Sequence, residues 1–242
     1  MRIVVISATS AIARACISRW ANIGSHEFLL VGRSAERLKA VQSDLAIRFP
    51  ESKFSHLAMD LSASDEVQSL VESLSRKPVD LALVAQGSLT EQPKASLELD
   101  YLKSQLEVNV TSAALFAEGL AQVFERQGFG TLGIIGSVAG DRGRAYNYSY
   151  GSSKAFLEAY AQGLQQRFGQ CRVRVSLIKP GPTATPMTAN HKAKLADPDL
   201  VAKVIVSGLA KGARVIYAPK SWRLIMFVVR LIPFWIFKRL NF

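Results

Sequence analysis

Three side chains near the middle of the chain could together carry proton-transfer chemistry. Tyr150 and Lys154 lie in Y-G-S-S-K, and Ser137 precedes the tyrosine in I-I-G-S-V-A-G. The sequence from about residue 148 onward predicts a helix, which would place the tyrosine and the lysine one turn apart on one face. An ammonium group there should lower the tyrosine pKa from its ordinary value near ~10. The three groups could then exchange a proton with an alcohol or ketone oxygen, as hydride transfer at that carbon requires.

The elements that would position these residues follow a β-α alternation. Continuous apolar segments such as L-A-L-V-A indicate strands buried on both faces of a sheet. The alternation predicts parallel strands joined by right-handed crossovers, which is a doubly wound α/β (Rossmann) fold over residues 1–218. Strands are predicted at 2–6, 27–31, 53–58, 79–85, 131–136, 172–178 and 214–217, and helices at 11–23, 35–49, 63–75, 97–127, 148–168 and 197–211.

Composition favours one large domain in a reducing compartment. The chain has 242 residues, of which 49% are hydrophobic, and a strand begins at Arg2, so no signal peptide is expected. Cys16 and Cys171 show no metal or redox spacing. We expect both to be buried free thiols in a cytoplasmic protein, and we predict no metal site.

Positive charge is concentrated at the C-terminal end. The formal net charge is +11, and no acidic residue follows Asp199. This distribution favours an anionic surface as a partner of that end and gives no reason to expect nucleic acid. The eight basic residues of this stretch are Lys203, Lys211, Arg214, Lys220, Arg223, Arg230, Lys238 and Arg239.

The first β-α turn, I-S-A-T-S-A-I-A, lies where a doubly wound sheet places a cofactor pyrophosphate at a helix N-terminus. Ser7, Ala11 and Ala13 occupy the places where a dinucleotide turn normally has glycines. Taken alone, the segment is equally typical of an ordinary turn. Small residues still leave room, and hydroxyl groups could reach phosphate oxygens. The residues expected at the cofactor here are Ser7, Thr9, Ser10 and Ile12.

The end of the second strand favours NADP(H) over NAD(H). An acidic residue there would bind the ribose 2′-hydroxyl of NAD, whereas L-L-V-G-R-S offers Arg33 and Ser34, which suit a 2′-phosphate. Asp60 and Leu61 end the third strand, where the carboxylate could meet the adenine amino group. The alternative is that Asp60 caps the following helix.

Together these residues resemble the classical short-chain dehydrogenase/reductase family over about residues 2–218. The resemblance is carried by Ser137, by Tyr150 with Lys154, by K-P-G-P-T-A-T-P after the sixth strand, and by Asn109 in L-E-V-N-V-T-S-A-A. It implies an Asn-Ser-Tyr-Lys catalytic tetrad. Two segments depart from the family pattern: the glycine-poor first turn, and A-Q-G in place of Asn-Ala-Gly after the fourth strand.

The resemblance also implies a division of roles. Tyr150 would donate a proton, Ser137 would hold the substrate oxygen, and Lys154 would bind the nicotinamide ribose. Asn109 would hold a water molecule in a proton relay, and Thr185 would meet the nicotinamide carboxamide. The further cofactor contacts implied are Gln86, Gly87, Pro180, Gly181 and Thr183. The segment 188–197 falls where the family has a mobile substrate lid, and His191 within it is expected to be a surface residue.

A narrower resemblance concerns the first turn, V-A-G-D-R-G-R and the basic tail. These segments are similar to decaprenylphosphoryl-2-keto-ribose reductases, which work with a flavin-dependent oxidase to epimerise a polyprenyl-phosphate sugar. The similarity implies a lipid-linked ketone substrate and such an oxidase as partner. Arg142 and Arg144 could meet a substrate phosphate or be solvated loop charges. Alternatives are a 3-oxoacyl or steroid-type ketone, or a non-catalytic nucleotide-binding homologue. We expect a homo-oligomer.

The tail, residues 219–242, is apolar from Leu224 to Phe237 except for Arg230, and Pro233 interrupts it. Spanning a bilayer takes roughly 20 apolar residues, so the tail is too short to cross. Its flanking Trp and basic residues favour an interfacial helix on an anionic membrane, at the inner face of the cytoplasmic membrane. The alternative is a tail packed on its own domain or on a second subunit.

Overall fold

Seven parallel strands form one sheet. The structure, a computed structural model, describes residues 1–188 and 195–240. The strand order is β3-β2-β1-β4-β5-β6-β7. The order reverses direction between β1 and β4, and ligands bind at the strand carboxyl ends beside such a switch point. The doubly wound prediction is therefore confirmed. The strands are β1 Arg2–Ile6, β2 Glu27–Gly32, β3 Lys53–Ala58, β4 Leu81–Val84, β5 Phe129–Ile135, β6 Arg172–Pro180 and β7 Val215–Ala218.

Helices cover both faces of the sheet. Phe116, Phe124 and Leu157 pack in the core on one face, and Trp20 and Ile205 pack in the core on the other. The helices are α1 Ala11–Ile23, α2 Ala35–Arg48, α3 Ser64–Leu74, α4 Gln92–Leu97, α5 Leu99–Leu106, α6 Ser112–Gln127, α7 Tyr148–Arg167, α8 Pro198–Ala210, α9 Trp222–Leu231 and α10 Phe234–Phe237.

The prediction of one continuous helix over 97–127 was wrong. Glu98 adopts an extended conformation that separates α4 from α5. A π-helical turn, Glu107–Thr111, then separates α5 from α6 and contains Asn109. Helical periodicity does not reveal a one-residue widening of this kind, and such turns occur frequently at functional sites.

The two cysteines differ in environment. Cys16 is buried in α1, where burial raises the pKa of its thiol. Cys171 is exposed in the turn that leads from α7 to β6, so the expectation of two buried thiols was wrong for this residue. The turn precedes the first sheet contact of β6, at Arg172, and for that reason lies outside the core.

A buried ion cluster joins the elements that surround the predicted catalytic residues. The side chain of Lys179, on β6, is 2% exposed and forms ion pairs with Asp141 and, at 2.7 Å, with Glu158 of α7. Tyr217 of β7 donates a hydrogen bond of 2.9 Å to Asp141. Burial alone lowers the pKa of Lys179, but its two carboxylate partners outweigh burial and raise that pKa. The cluster therefore ties β6, β7 and α7 to the segment that follows β5.

The tail packs on the domain through one side of α9. A Cβ atom on Gly181 would lie 2.0 Å from the Trp222 ring nitrogen, so this contact requires glycine. Met226 is fully buried. Arg142 donates hydrogen bonds of 2.5 and 2.6 Å to the carbonyl oxygens of Val229 and Ile232 at the end of α9. The C-terminal end of this helix is thus held by a side chain from the domain.

The opposite side of α9 is apolar and exposed. Leu224, Phe227 and Leu231 are 69%, 61% and 65% exposed. The tail is not one continuous helix, because α9 ends at Leu231 and α10 begins at Phe234, after Pro233. Phe227 and Phe234 therefore do not share the face that one continuous helix would give them. No helix within residues 1–188 and 195–240 is both long and apolar enough to cross a membrane.

The ion cluster predicts a large stability effect. Lys179→Met would leave two carboxylates without their shared cation, and removing one partner of a buried pair costs about 3–5 kcal/mol. We expect a lower urea midpoint, partly restored when Asp141→Asn and Glu158→Gln are added. Because the folded pKa of Lys179 is raised, its contribution is complete below about pH 10.4 and is lost as pH rises through the folded value. An unchanged midpoint in the single variant would contradict the cluster's structural role.

Candidate active site

A short 3-10 helix, Val138–Asp141, places Ser137 against α7. The Ser137 hydroxyl accepts a hydrogen bond of 3.1 Å from the Ala139 amide, which closes the turn after β5. A Cβ atom on Gly140 would lie 2.7 Å from the Lys154 carbonyl carbon. Only glycine permits that approach, so the backbone of the serine segment rests directly on α7, which carries Tyr150 and Lys154.

The Ser137 and Tyr150 hydroxyls lie close enough for the serine to affect the pKa of the tyrosine. Burial raises the pKa of Tyr150, and the Ser137 hydroxyl opposes that effect only in part. The expected lowering of this pKa by Lys154 was wrong for the protein alone. The ammonium lies 5.6 Å from the centre of the tyrosine ring, and burial of the phenol dominates. Tyr150 therefore holds its proton firmly at neutral pH.

Lys154 is 3% exposed and has no carboxylate partner among the described residues. Its ammonium donates a long hydrogen bond of 3.5 Å to the Ile135 carbonyl. Burial lowers the pKa of Lys154 to about 8. A Cβ atom on Gly87 would lie 2.9 Å from this ammonium and 3.1 Å from the Asn109 side-chain oxygen. The lysine and the asparagine thus converge on the backbone just after β4.

The Asn109 side chain is fully buried and fully engaged. Its oxygen accepts a bond of 3.0 Å from the Ser88 amide, and its nitrogen donates bonds of 3.0 Å to the carbonyls of Ser88 and Gln105. This amide fixes the loop after β4 against the π-helical turn. Its role in holding a relay water stays a prediction.

A groove of about 540 Å³ runs along the strand carboxyl ends at the switch point. Ser7 adopts a left-handed conformation with φ 58°, which is the backbone geometry that favours glycine. The hydroxyl of Ser10 does not cap α1, and the first turn of α1 has no acidic residue, so this helix N-terminus suits an anion. The predicted cofactor residues that line the groove are Ser7, Thr9, Ser10, Arg33, Leu61, Gln86, Gly87 and Thr185.

Besides Lys154, three predicted cofactor residues line neither this groove nor the cavity that adjoins it. The Ser34 hydroxyl accepts a bond of 3.3 Å from the Arg37 amide and caps α2. Asp60 accepts a bond of 2.8 Å from the Ser62 amide, so it caps a turn before α3. Ile12 lies in α1 and packs against the core. Their contacts with a cofactor stay predictions.

Sequence reasoning missed Arg37, which lines the groove with Arg33. The sequence did contain a signal for Arg37: it follows Arg33 by four residues, at the start of a predicted helix. Gln86 also indicates that a ligand fits the groove, because its side-chain oxygen is buried and lacks a hydrogen-bond partner. A nucleotide with hydroxyl and amide donors and a phosphate fits these groups.

A second cavity of about 360 Å³ adjoins the groove, and Thr185 and Met187 line both. Arg144, Asn147 and Glu91 contribute polar groups to its wall. Arg142, by contrast, binds the tail helix, so neither of the two roles considered for it, a substrate phosphate contact or a solvated loop charge, was right. His191 and most of the predicted lid lie outside the described residues. The predicted site residues in this cavity are Ser137, Tyr150, Pro180, Gly181, Thr183 and Thr185.

Comparisons with known proteins agree with this arrangement. The family model for short chain dehydrogenases matches residues 1–196. An uncharacterized oxidoreductase of Streptomyces coelicolor is 32% identical over 98% of this chain and 95% of its own. A 3-oxoacyl-[acyl-carrier-protein] reductase of Aquifex aeolicus is 26% identical over 76% of this chain and 75% of its own. A short chain dehydrogenase of Burkholderia cenocepacia, solved with NADP, has a TM-score of 0.80 and 17% identity, covering 96% of this chain and 98% of the other.

The fold and the site define an oxidoreductase that uses a nicotinamide cofactor and acts on CH–OH groups. The chain belongs to the short-chain dehydrogenase family.

The lowered pKa of Lys154 predicts a pH dependence of cofactor binding. The ammonium, as a donor to ribose hydroxyls, is present below its pKa of about 8 and is lost above it. NADPH affinity should therefore be highest near about pH 7 and fall toward about pH 9.5. Lys154→Met should bind weakly with a flatter profile. Titration by NADPH fluorescence measures both, and a pH-independent affinity of the native protein would contradict the role of Lys154.

Proposed function

We propose that the protein reduces a ketone to a secondary alcohol with NADPH. The observation that supports this most directly is that Ser137 and Tyr150 line one cavity, which adjoins the nucleotide groove. Bound in that groove, NADPH would supply the hydride. The chain would orient the ketone oxygen, protonate it and hold the nucleotide, with Asn109, Ser137, Tyr150 and Lys154 as the catalytic residues.

The protonation state of Tyr150 favours reduction. With a raised pKa, its hydroxyl carries a proton at neutral pH and can give it to an oxygen on which negative charge develops. Ser137 can hold the same oxygen. Lys154, protonated below a pH of about 8, would stabilise the phenolate that remains and bind the ribose.

Arg33 and Arg37 support a preference for NADP(H). Both are exposed and neither forms an ion pair within the described part of the chain. No described residue that lines the groove is acidic, so nothing there would select the free 2′-hydroxyl of NAD. Two guanidinium groups provide charge-assisted donors for a 2′-phosphate.

The tail supports a membrane-associated, lipid-linked substrate. The exposed face of α9 offers apolar side chains, and Lys220, Arg223 and Arg230 lie beside them around an open groove. Basic and apolar groups together suit an anionic bilayer surface. On its inner side, α9 contacts Gly181 and Arg144, which line the substrate cavity. Residues 219–242 would then hold the protein at the inner face of the cytoplasmic membrane.

Within this class we favour a keto-sugar carried on a polyprenyl phosphate. Reduction of such a ketone needs a preceding oxidation of the same carbon, and a flavin-dependent oxidase is the fitting partner. Exposed leucines on α4 and α5, Leu97 at 85% and Leu99 at 76%, support a homo-oligomer. A 3-oxoacyl ketone is the second candidate, favoured by the Aquifex aeolicus relative.

The proton donor gives the primary test. Tyr150→Phe removes only the hydroxyl, so it should abolish NADPH-dependent ketone reduction and leave NADPH binding nearly unchanged. Tyr146→Phe is the matched control, because that tyrosine lines the same cavity and should tolerate the change. Unchanged turnover in Tyr150→Phe would refute the proposed mechanism. Binding of NADPH with no reduction of any ketone by the native protein would favour a non-catalytic homologue.

Cofactor preference is tested at the groove arginines. Arg33→Ala should weaken NADPH binding by about 1–3 kcal/mol, the scale of a charge-assisted hydrogen bond, and change NADH binding little. Arg37→Ala should act in the same direction. Fluorescence titration with both nucleotides measures the difference. Equal losses for NADPH and NADH would show that neither arginine reads the 2′-phosphate.

The membrane face is tested without removing the tail, since Trp222 and Met226 pack on the domain. The native protein should co-sediment with anionic phosphatidylglycerol vesicles, less so at high salt. A variant with Leu224→Ser, Phe227→Ser and Leu231→Ser should stay unbound and still reduce a soluble ketone. Ile23→Ser with Ile47→Ser is the matched control, because these side chains are 69% and 82% exposed elsewhere.

Two outcomes would contradict the membrane assignment. The first is unchanged vesicle binding by the triple variant. The second is loss of the oligomer by that variant in the absence of any vesicle binding by the native protein, which would place this face at a subunit interface.

A further inference from the structure

We propose that Arg144 binds a phosphate group of the substrate and so determines which ketones the enzyme accepts. The inference rests on the proposed reductase function and adds the residue that binds the substrate's phosphate and the position of that phosphate beside the ketone. Arg144 lines the cavity that contains Ser137 and Tyr150. A group bound there lies beside the reacting oxygen.

The guanidinium of Arg144 is held only by weak contacts. One terminal nitrogen lies 3.4 Å from the Tyr146 hydroxyl, and the other lies 3.5 Å from the Met226 sulfur. The third nitrogen, Nε, is buried and has no hydrogen-bond partner. Guanidinium groups offer five donors in a planar fork, and a buried donor without an acceptor is costly. An oxyanion would satisfy these donors.

No described carboxylate neutralises Arg144. Glu91 lines the same cavity but forms no ion pair with it. Asp141, three residues earlier in the chain, is engaged by Lys179 and Tyr217. Arg144 therefore carries a positive charge that no described ion pair compensates, beside the proton donor, and phosphate is an anion that arginine binds with two parallel hydrogen bonds.

Arg142, two residues earlier in the same segment, has a structural role instead. It donates to backbone carbonyls of α9, and its guanidinium stacks 3.8 Å from the centre of the Phe237 ring. Arg144 has no carbonyl acceptor of this kind among the described residues. Arg142 thus holds the tail, whereas Arg144 lines the cavity and is available to the substrate.

A second unpaired group indicates what accompanies the phosphate. The side-chain oxygen of Asn147 is buried, lacks a partner and belongs to the same cavity wall. This acceptor matches a hydroxyl donor. A cavity of about 360 Å³ admits a compact group. The ligand chemistry is therefore a hydroxylated ketone with a phosphate ester close to the carbonyl.

The test compares dihydroxyacetone phosphate with dihydroxyacetone, which differ only in the phosphate ester. Calorimetry on the NADP⁺ complex should show tighter binding of the phosphate by roughly 10- to 100-fold, the scale of one or two charge-assisted hydrogen bonds. Arg144→Gln should remove that difference. Arg144→Lys should retain part of it. Met226→Leu, which removes the sulfur contact but keeps the packing, should retain it fully.

The decyl phosphodiester of dihydroxyacetone distinguishes the source of the phosphate. A lipid-linked substrate predicts that this diester binds at least as tightly as the monoester, and a free sugar phosphate predicts weaker binding. Equal binding of dihydroxyacetone and its phosphate by the native complex would overturn the inference, as would a preference that survives in Arg144→Gln. Failure of the reductase proposal is a separate result, because it would appear as absent NADPH oxidation while the binding difference persisted.

Discussion

The arrangement of this site depends on a lysine ammonium buried between two carboxylates. Lys179 comes from β6, Asp141 from the turn after Ser137, and Glu158 from the helix of Tyr150, while Tyr217 joins from β7. Removing two negative charges from water is expensive unless a cation compensates them, so these elements are obliged to meet. The packing of Gly140 on the backbone of α7 then fixes the distance between the serine segment and the tyrosine.

This constraint has a consequence for the chemistry. The Tyr150 phenol is half-buried, and burial raises its pKa above the ordinary value although the Ser137 hydroxyl opposes the rise. Burial likewise lowers the pKa of Lys154. The tyrosine is thereby kept as an acid and the lysine as an easily deprotonated cation. A nucleotide that binds the ammonium would raise the lysine pKa again and couple cofactor binding to the protonation state of the site.

Much of the fold was predictable because buried strands appear in the sequence as apolar segments that alternate with helical patterns. The continuous apolar segments that end at Ile6 and Val84 gave strand positions to within a few residues. Ser137, Tyr150 and Lys154 were predictable from spacing, because the tyrosine and the lysine share a helix and the serine ends a strand. Three-dimensional contacts were not. The start of α7 is capped by Gln92, whose oxygen accepts a bond of 2.8 Å from the Ser149 amide, and no local pattern links residues so far apart.

The different roles of Arg142 and Arg144 show the same limit. Both occur in G-D-R-G-R, and the sequence treats them alike, but only the fold brings α9 against one and the cavity against the other. The contacts of the tail also change how it is interpreted. One side of α9 contacts Gly181 and Arg144 of the cavity wall, and the other side is exposed. The proposed membrane surface and the proposed substrate pocket would thus be separated by a single helix, about 10 Å across.

The central claim is that Tyr150 protonates a ketone oxygen while hydride is added to the adjoining carbon. The most direct measurement is the reduction of a soluble ketone with NADPH that carries deuterium at the transferable position of the nicotinamide. The account predicts one deuterium at the carbinol carbon of the product, formed by the native protein and not by Tyr150→Phe. Product without deuterium at that carbon, or deuterated product formed equally well by Tyr150→Phe, would contradict it.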